Sequence, residues 1–276
     1  MSRFCLTCIF LCVLFSADAQ NARWQEAALG YERGAYLAEK HGDPGVARDM
    51  LFRKHQVLKS AGQWNEAYQT IKRIPVEETG PDSVQFAIRY EKALMAYLNG
   101  VYDDAYLQIG QCRYSVKDSI LTSRLDWLEI LTLCELERWP EAQAKASAYL
   151  LSRRLPDQSK EWFRRIPRKR SERKAEYLSA FFPGVGLMYA GSLREGITST
   201  VLQAGCLAFG VFTILDGYYL SGFLTGGGLF QAFYFGGINR SARIAAETNR
   251  KNKNTFNRSI RGRVLETERS STKKEP

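Results

Sequence analysis

The sequence predicts an all-α protein: an α-solenoid of helix pairs, then a C-terminal transmembrane helical hairpin with a re-entrant or interfacial elbow. Three observations carry that prediction. A helix-turn-helix pattern recurs around Trp64, Tyr102 and Trp139, 38 and then 37 residues apart. Two long uncharged apolar runs follow in tandem, Ile197 to Leu215 and Tyr218 to Ile238. Two blocks of cations flank them. Residues 153–174 hold ten Lys/Arg against three acids, and residues 239–276 hold eleven against four. A 276-residue chain of net charge +10 favours acidic partners.

The N-terminus reads MSRFCLTCIFLCVLFSADAQ. Arg3 precedes an apolar stretch from Phe4 to Phe15, and Ala17-Asp18-Ala19 stands before Gln20. This is the pattern of a cleaved signal peptide over residues 1–19. The apolar stretch is too short to span a bilayer comfortably. Cys5, Cys8 and Cys12 would leave with it, and Cys112, Cys134 and Cys206 would remain. In an oxidising compartment Cys112 and Cys134 can pair, or both can serve as small buried hydrophobes. Their spacing fits no zinc or redox motif.

Residues 20–152 form the predicted repeat domain. Three pieces align: LKSAGQWNEAYQTI from Leu58, AYLNGVYDDAYLQI from Ala96 and LCELERWPEAQAKA from Leu133. Each has an apolar helix end, a short turn, an aromatic (Trp64, Tyr102, Trp139), an acid (Glu66, Asp104, Glu141) and then Ala (Ala67, Ala105, Ala142). Gly62 and Gly100 occupy the turn, and Glu137 replaces them in the third copy. The small Ala lets the second helix approach the first. Expected pairs are 46–60 with 64–74, 82–99 with 102–113, and 117–137 with 140–152, preceded by a helix at 22–40. HGDPG from His41 and ETGPDS from Glu78 suit the connections. The pattern resembles the tetratricopeptide (TPR) repeat family, with a period longer than that family's usual one. The resemblance implies a concave groove that binds a protein partner, with Tyr90, Tyr97, Arg124 and Trp127 as candidates to line it. The other reading is a helical spacer.

The basic segment 153–174 is broken by Pro156 and Pro167. Arg164, Arg165, Arg168, Lys169 and Arg170 are the candidate contacts to anionic lipid headgroups. Trp162 and Phe163 beside them suit a membrane interface. Nucleic acid as a partner would need a cytosolic chain, which the signal peptide opposes.

Residues 175–238 form the predicted membrane module. Its two runs, 19 and 21 residues long, are each long enough to cross a bilayer. Gly222 and Gly226 make a G-x-x-x-G, and Gly228, Ala232 and Gly236 extend the ridge of small residues. Such a ridge lets backbones approach closely, and its expected partner is the first span or a second copy of the chain. The stretch SAFFPGVGLMYAGSLREG, from Ser179, precedes the spans. It is not a dinucleotide loop, because Tyr189 stands where the third Gly would be and no βαβ unit surrounds it. Pro183 and Gly184 break a helix there, and the run to Tyr189 is too short to cross. Its non-helical backbone would need burial against the spans.

The order P-G-x-G-x-x-Y-x-G, a further Gly, two apolar runs and an Asn near a basic tail resembles bacterial envelope proteins of the TM2-domain type. The resemblance covers about residues 175–252. It implies roles for Pro183, Gly184, Gly186, Tyr189, Gly191 and Gly196, with Asn239 and Asn249 beside them. Many relatives carry Gln where Leu187 stands, which weakens a polar role for the loop. The tail, 239–276, is expected to be basic and disordered.

These readings place the chain in a bacterial cell envelope, integral to a membrane (the inner one), with exported repeats. The charge pattern pulls the other way, since both basic flanks favour the cytoplasmic side. The elbow crossing fully, the repeats staying inside, and the export signal overriding the charges are the three resolutions. The expected function is a non-enzymatic scaffold whose repeats bind an envelope protein. The alternative is an oligomeric transport or lipid-handling component. The histidines are His41 and His55, fourteen apart and without a metal-ligand spacing. No catalytic residue, cofactor or metal is expected.

Overall fold

One left-handed residue ends a helix in each repeat and starts the next. Gly62 and Gly100 have φ of 74° and 76°, and Glu137 has φ of 60°. The backbone wiring is the same three times. The N–H groups of Gln63, Val101 and Arg138 donate to the carbonyls of Leu58, Ala96 and Leu133 at 2.9 Å. Ala67, Ala105 and Ala142 then follow, all at 0% exposure. The small side chain lets the paired helices pack closely.

The computed structural model describes residues 23–76 and 81–272. The predicted signal peptide and part of the ETGPDS connection lie outside them. The N-terminal helices are α1 (23–40), α2 (Pro44–Ser60), α3 (Trp64–Arg73), α4 (Asp82–Leu98), α5 (Tyr102–Ser115), α6 (Ser119–Ser123), α7 (Asp126–Glu135) and α8 (Trp139–Ser152). Trp64, Tyr102 and Trp139 are each the first residue of their helix. From α2 onward, each helix packs on the next, except that α5 skips the short α6 to reach α7: α2 on α3, α3 on α4, α4 on α5, α5 on α7, α7 on α8.

The same turn occurs twice more. Gly42 has φ of 76° and Arg154 has φ of 56°. Five residues on from each stand buried Ala47 and Ser159. Alignment on an aromatic misses both, because Pro44 and Pro156 hold the aromatic's place. The stretch 117–137, expected as one helix, is two. Asp118 caps α6 by accepting from the Ile120 N–H at 2.8 Å. The chain then tightens so that Leu125 enters the core at 0% exposure.

Cys112 and Cys134 are buried and form no disulfide. Burial pushes their thiols up, Cys112 to about 11 and Cys134 to about 12. Both act as small apolar side chains.

The chain divides into two compact units between Lys160 and Glu161. Most of the basic segment therefore packs with the C-terminal unit and is not a separate linker. That unit contains the end of α9 (Ser159–Trp162), α10 (Glu172–Phe181), α11 (Val185–Ala190), α12 (Leu193–Leu215), α13 (Tyr219–Ser221), a π-helical turn (Gly222–Gly227) and α14 (Gly228–Thr272). Trp162 and Phe163, expected at a membrane interface, are instead 7% and 3% exposed. Phe163 packs edge-on against Phe256, ring centroids 5.9 Å apart.

The tail expected to be disordered is helical. α14 carries it without a break to Thr272. Phe256, Ile260 and Val264, four residues apart, are buried on one face while the cations occupy the others. Net charge concealed that apolar stripe, which supplies the burial that orders the helix.

Candidate functional site

The elbow is a helical corner, and each motif residue holds part of it. Gly184 (φ 86°) and Gly191 (φ 108°) begin and end α11 in the left-handed region, where a side chain is strained. A methyl on Gly186 would overlap the Ala175 carbonyl oxygen and the Ser179 hydroxyl of α10. One on Gly196 would overlap Met188 and lie 2.8 Å from the Gly184 carbonyl oxygen. Gly186 thus sets the approach of α11 to α10, and Gly184 and Gly196 its approach to α12. The Pro183 carbonyl accepts from the Thr200 hydroxyl at 2.7 Å.

Tyr189 and Asn249 close the corner from the other side. The Tyr189 hydroxyl accepts the Ser171 N–H at 3.2 Å. Its carbonyl accepts the Arg170 guanidinium at 2.9 Å. Asn249 pairs with both backbone groups of Arg170, accepting its N–H at 2.8 Å and donating to its carbonyl at 2.7 Å. Ala175, Ala190 and Ala245 form a small core there, with Tyr189 and Ile244 against it. Leu187, in the place of a polar residue, is 2% exposed. The motif residues serve the packing of the corner.

Arg170 is therefore corrected as a headgroup contact. Its guanidinium is committed to the Tyr189 carbonyl and lies against Gly191. Arg164, Arg165 and Arg168 are exposed or partly so, as is Lys169. All four lie at the surface of the second unit.

α12 and the run after it form an antiparallel apolar hairpin. Gly210 meets Gly222 and Gly226, Gln203 meets Gly237, and Glu195 meets Arg240. A Cβ on Gly222 would lie 2.9 Å from the Gly210 carbonyl oxygen, and one on Gly226 would lie 2.9 Å from the Gly210 nitrogen. The G-x-x-x-G therefore faces the first apolar run. Gly228, Ala232 and Gly236 do not continue this ridge: all are exposed, and both glycines have open space where a Cβ would stand. Gly228 stands two residues after Gly226, about 200° around a helix, so it and the residues that follow it at four-residue spacing lie on the opposite face. The inward face becomes Tyr234, Gly237, Ser241 and Ala245. Tyr234 donates its hydroxyl to the Ala180 carbonyl at 2.8 Å.

The outer face of this hairpin is apolar and uncovered. α12 is long and apolar enough to cross a membrane, and 11% of its most apolar 18 residues is buried. Val201, Phe212 and Leu215, then Tyr219, Leu220 and Phe223, are exposed over most of their surfaces.

The repeat unit has its own open hollow, about 1000 Å³, along α5. Arg89, Tyr106, Leu107, Gly110, Gln111 and Tyr114 are among its walls. Tyr114 is 94% exposed, and Gly110 has open space where a Cβ would stand. Arg138 stacks over the Tyr106 ring at 4.6 Å. None of Tyr90, Tyr97, Arg124 or Trp127 lines it. Tyr97 is buried instead, its ring 5.6 Å from that of Tyr102. The signal for this hollow was Gly110, an interior helix glycine that packing does not require.

His55 is buried at 0% exposure. Its Nδ1 faces the Ala67 carbonyl at 3.0 Å and its Nε2 faces Glu91 at 3.1 Å. Lys59 holds both Glu91 oxygens, at 2.7 and 2.8 Å. The cluster ties α2, α3 and α4 together.

No family model, curated protein or solved structure matches the chain.

Proposed function

We propose that the protein is a membrane-anchored, non-enzymatic scaffold of the bacterial envelope. Its exported helical repeats, of TPR-like type, hold a protein partner. Its TM2-like module anchors them. The exposed apolar surface of α12 carries this reading, because a core helix of a soluble protein would be mostly covered. The basic residues Arg164, Arg165, Arg168 and Lys169 add attraction to anionic lipid. The hollow along α5 supplies the binding surface. Its exposed tyrosine and leucine beside a polar rim match the make-up of protein interfaces.

A photo-crosslinking residue at Tyr114 tests the partner site in cells. It is expected to capture one discrete product, and Gly110→Trp is expected to abolish that capture. The tryptophan enters open space, so the thermal midpoint of the repeats should hold. Capture that persists undiminished in the variant excludes the hollow as the site. A second reading, an oligomeric transport or lipid-handling component, draws on the cavities beside α12.

A further inference from the structure

One flank of the apolar hairpin carries a furrow with a cationic end and an apolar end. The cationic end is a cavity of about 610 Å³ between α12 and α14, lined by Arg194, Glu195, Arg240 and Arg243 and, further along, by Leu202 and Phe233. The apolar end is a cavity of about 530 Å³ lined by Ile197, Val201, Cys206, Phe209 and Leu229. The two share Thr198 and Leu202. They are therefore successive parts of one furrow, which runs about 22 Å along α12 at the helical rise. Gly205 and Gly236 keep it open, since neither has an atom within 4 Å of where a Cβ would stand.

Charge decides what fits the cationic end. Three guanidinium groups meet one carboxylate there. Arg240 donates to Glu195 at 2.5 Å and neutralises it. Arg194 and Arg243 have no ion pair among the described residues, so two cations stay uncompensated. Guanidinium groups favour phosphate, which they can grip with paired hydrogen bonds. A free phosphate would fill this end and leave the apolar half empty. A ligand that fills both halves joins a phosphate to a hydrocarbon chain.

We propose that the furrow binds one anionic phospholipid, its phosphate between Arg194 and Arg243 and an acyl chain along Leu202, Gly205 and Phe209. This rests on the placement of α12 in a membrane. It is separate from the diffuse attraction of residues 164–169. A lipid held this way fills the open flank of the hairpin and ties the start of α12 to the middle of α14.

The test uses the full chain in mild detergent with equal amounts of phosphatidylglycerol and phosphatidylcholine, read by native mass spectrometry. One phosphatidylglycerol should be retained in preference to phosphatidylcholine. Arg194→Gln with Arg243→Gln should reduce that retention on the order of thirtyfold. Gly205→Trp, which blocks the apolar half and leaves the charges, should also displace the lipid. Circular dichroism checks that both variants stay helical. Glycerol phosphate, the headgroup without chains, should not compete. Equal retention of the two lipids, unchanged retention in the variants, or full displacement by glycerol phosphate overturns the proposal. In parallel, the chain is mixed with vesicles of the same two lipids. Flotation without selective retention refutes the lipid site alone, and failure to float refutes the membrane reading together with it.

Discussion

Gly186 shows how much one hydrogen atom can fix. Its Cα lies so close to α10 that a methyl would meet backbone, which cannot swing aside as a side chain can. Gly186→Ala should cost about 1–3 kcal/mol, seen as a lower thermal midpoint of the full chain in detergent. Gly205→Ala, in open space on α12, serves as the control and should not lower it. An unchanged midpoint for Gly186→Ala would show that α11 packs elsewhere. Glu137 presents the opposite case. It holds a left-handed conformation that glycine holds in the two sister repeats. Glu137→Gly should stabilise the repeats by about 1 kcal/mol, measured by chemical denaturation. A loss instead would mean that the contacts of the Glu137 side chain outweigh its backbone strain. The repeat turns were legible because Gly62, Gly100 and the buried alanines recur at matched positions. The corner glycines were legible only as a motif. Which neighbour each one touches depends on contacts across as many as 79 residues, such as Arg170 with Asn249.

Among elements, α2, α3 and α4 are joined through a buried charge cluster whose behaviour is set by its surroundings. Burial alone would raise the Glu91 carboxyl, but hydrogen bonds from His55 and Lys59 outweigh it and hold the group below its ordinary range. A carboxyl depressed on folding contributes stability above its unfolded pKa and loses it as pH falls through the folded value. The repeat unit should therefore keep its thermal midpoint from pH 7 to about 5 and lose it progressively below. Glu91→Gln should lower the midpoint at pH 7 and flatten that acid limb. An acid limb identical in the variant would assign it to other carboxylates, such as Glu32 with Lys54 and Arg73. Element boundaries in the repeats were close to those expected from apolar spacing and turns. Two elements escaped. Gly228, Ala232 and Gly236 keep four-residue spacing among themselves but start two residues after Gly226, so they fall on the opposite face of the second apolar run. The helical tail was hidden because its apolar stripe, Phe256, Ile260 and Val264, is thin against eleven cations.

For the whole molecule, the two units have opposite surfaces. The repeat unit holds a continuous apolar core, with Leu58, Ile71, Met95, Leu128 and Tyr149 fully buried, and opens at the hollow along α5. The second unit buries small residues and alanines at its corner while its longest apolar helix stays bare. Bare apolar surface on this scale is unfavourable in water, and a bilayer removes that cost. Composition already marks this division, because charge is nearly absent from 197–238 and dense on both sides. The most direct test is flotation of the full chain with its membranes after a wash in high-pH carbonate, which strips proteins held only at the surface. The chain should float with the vesicles. Its recovery in the soluble bottom fraction would contradict the membrane anchor, and with it the account of the second unit.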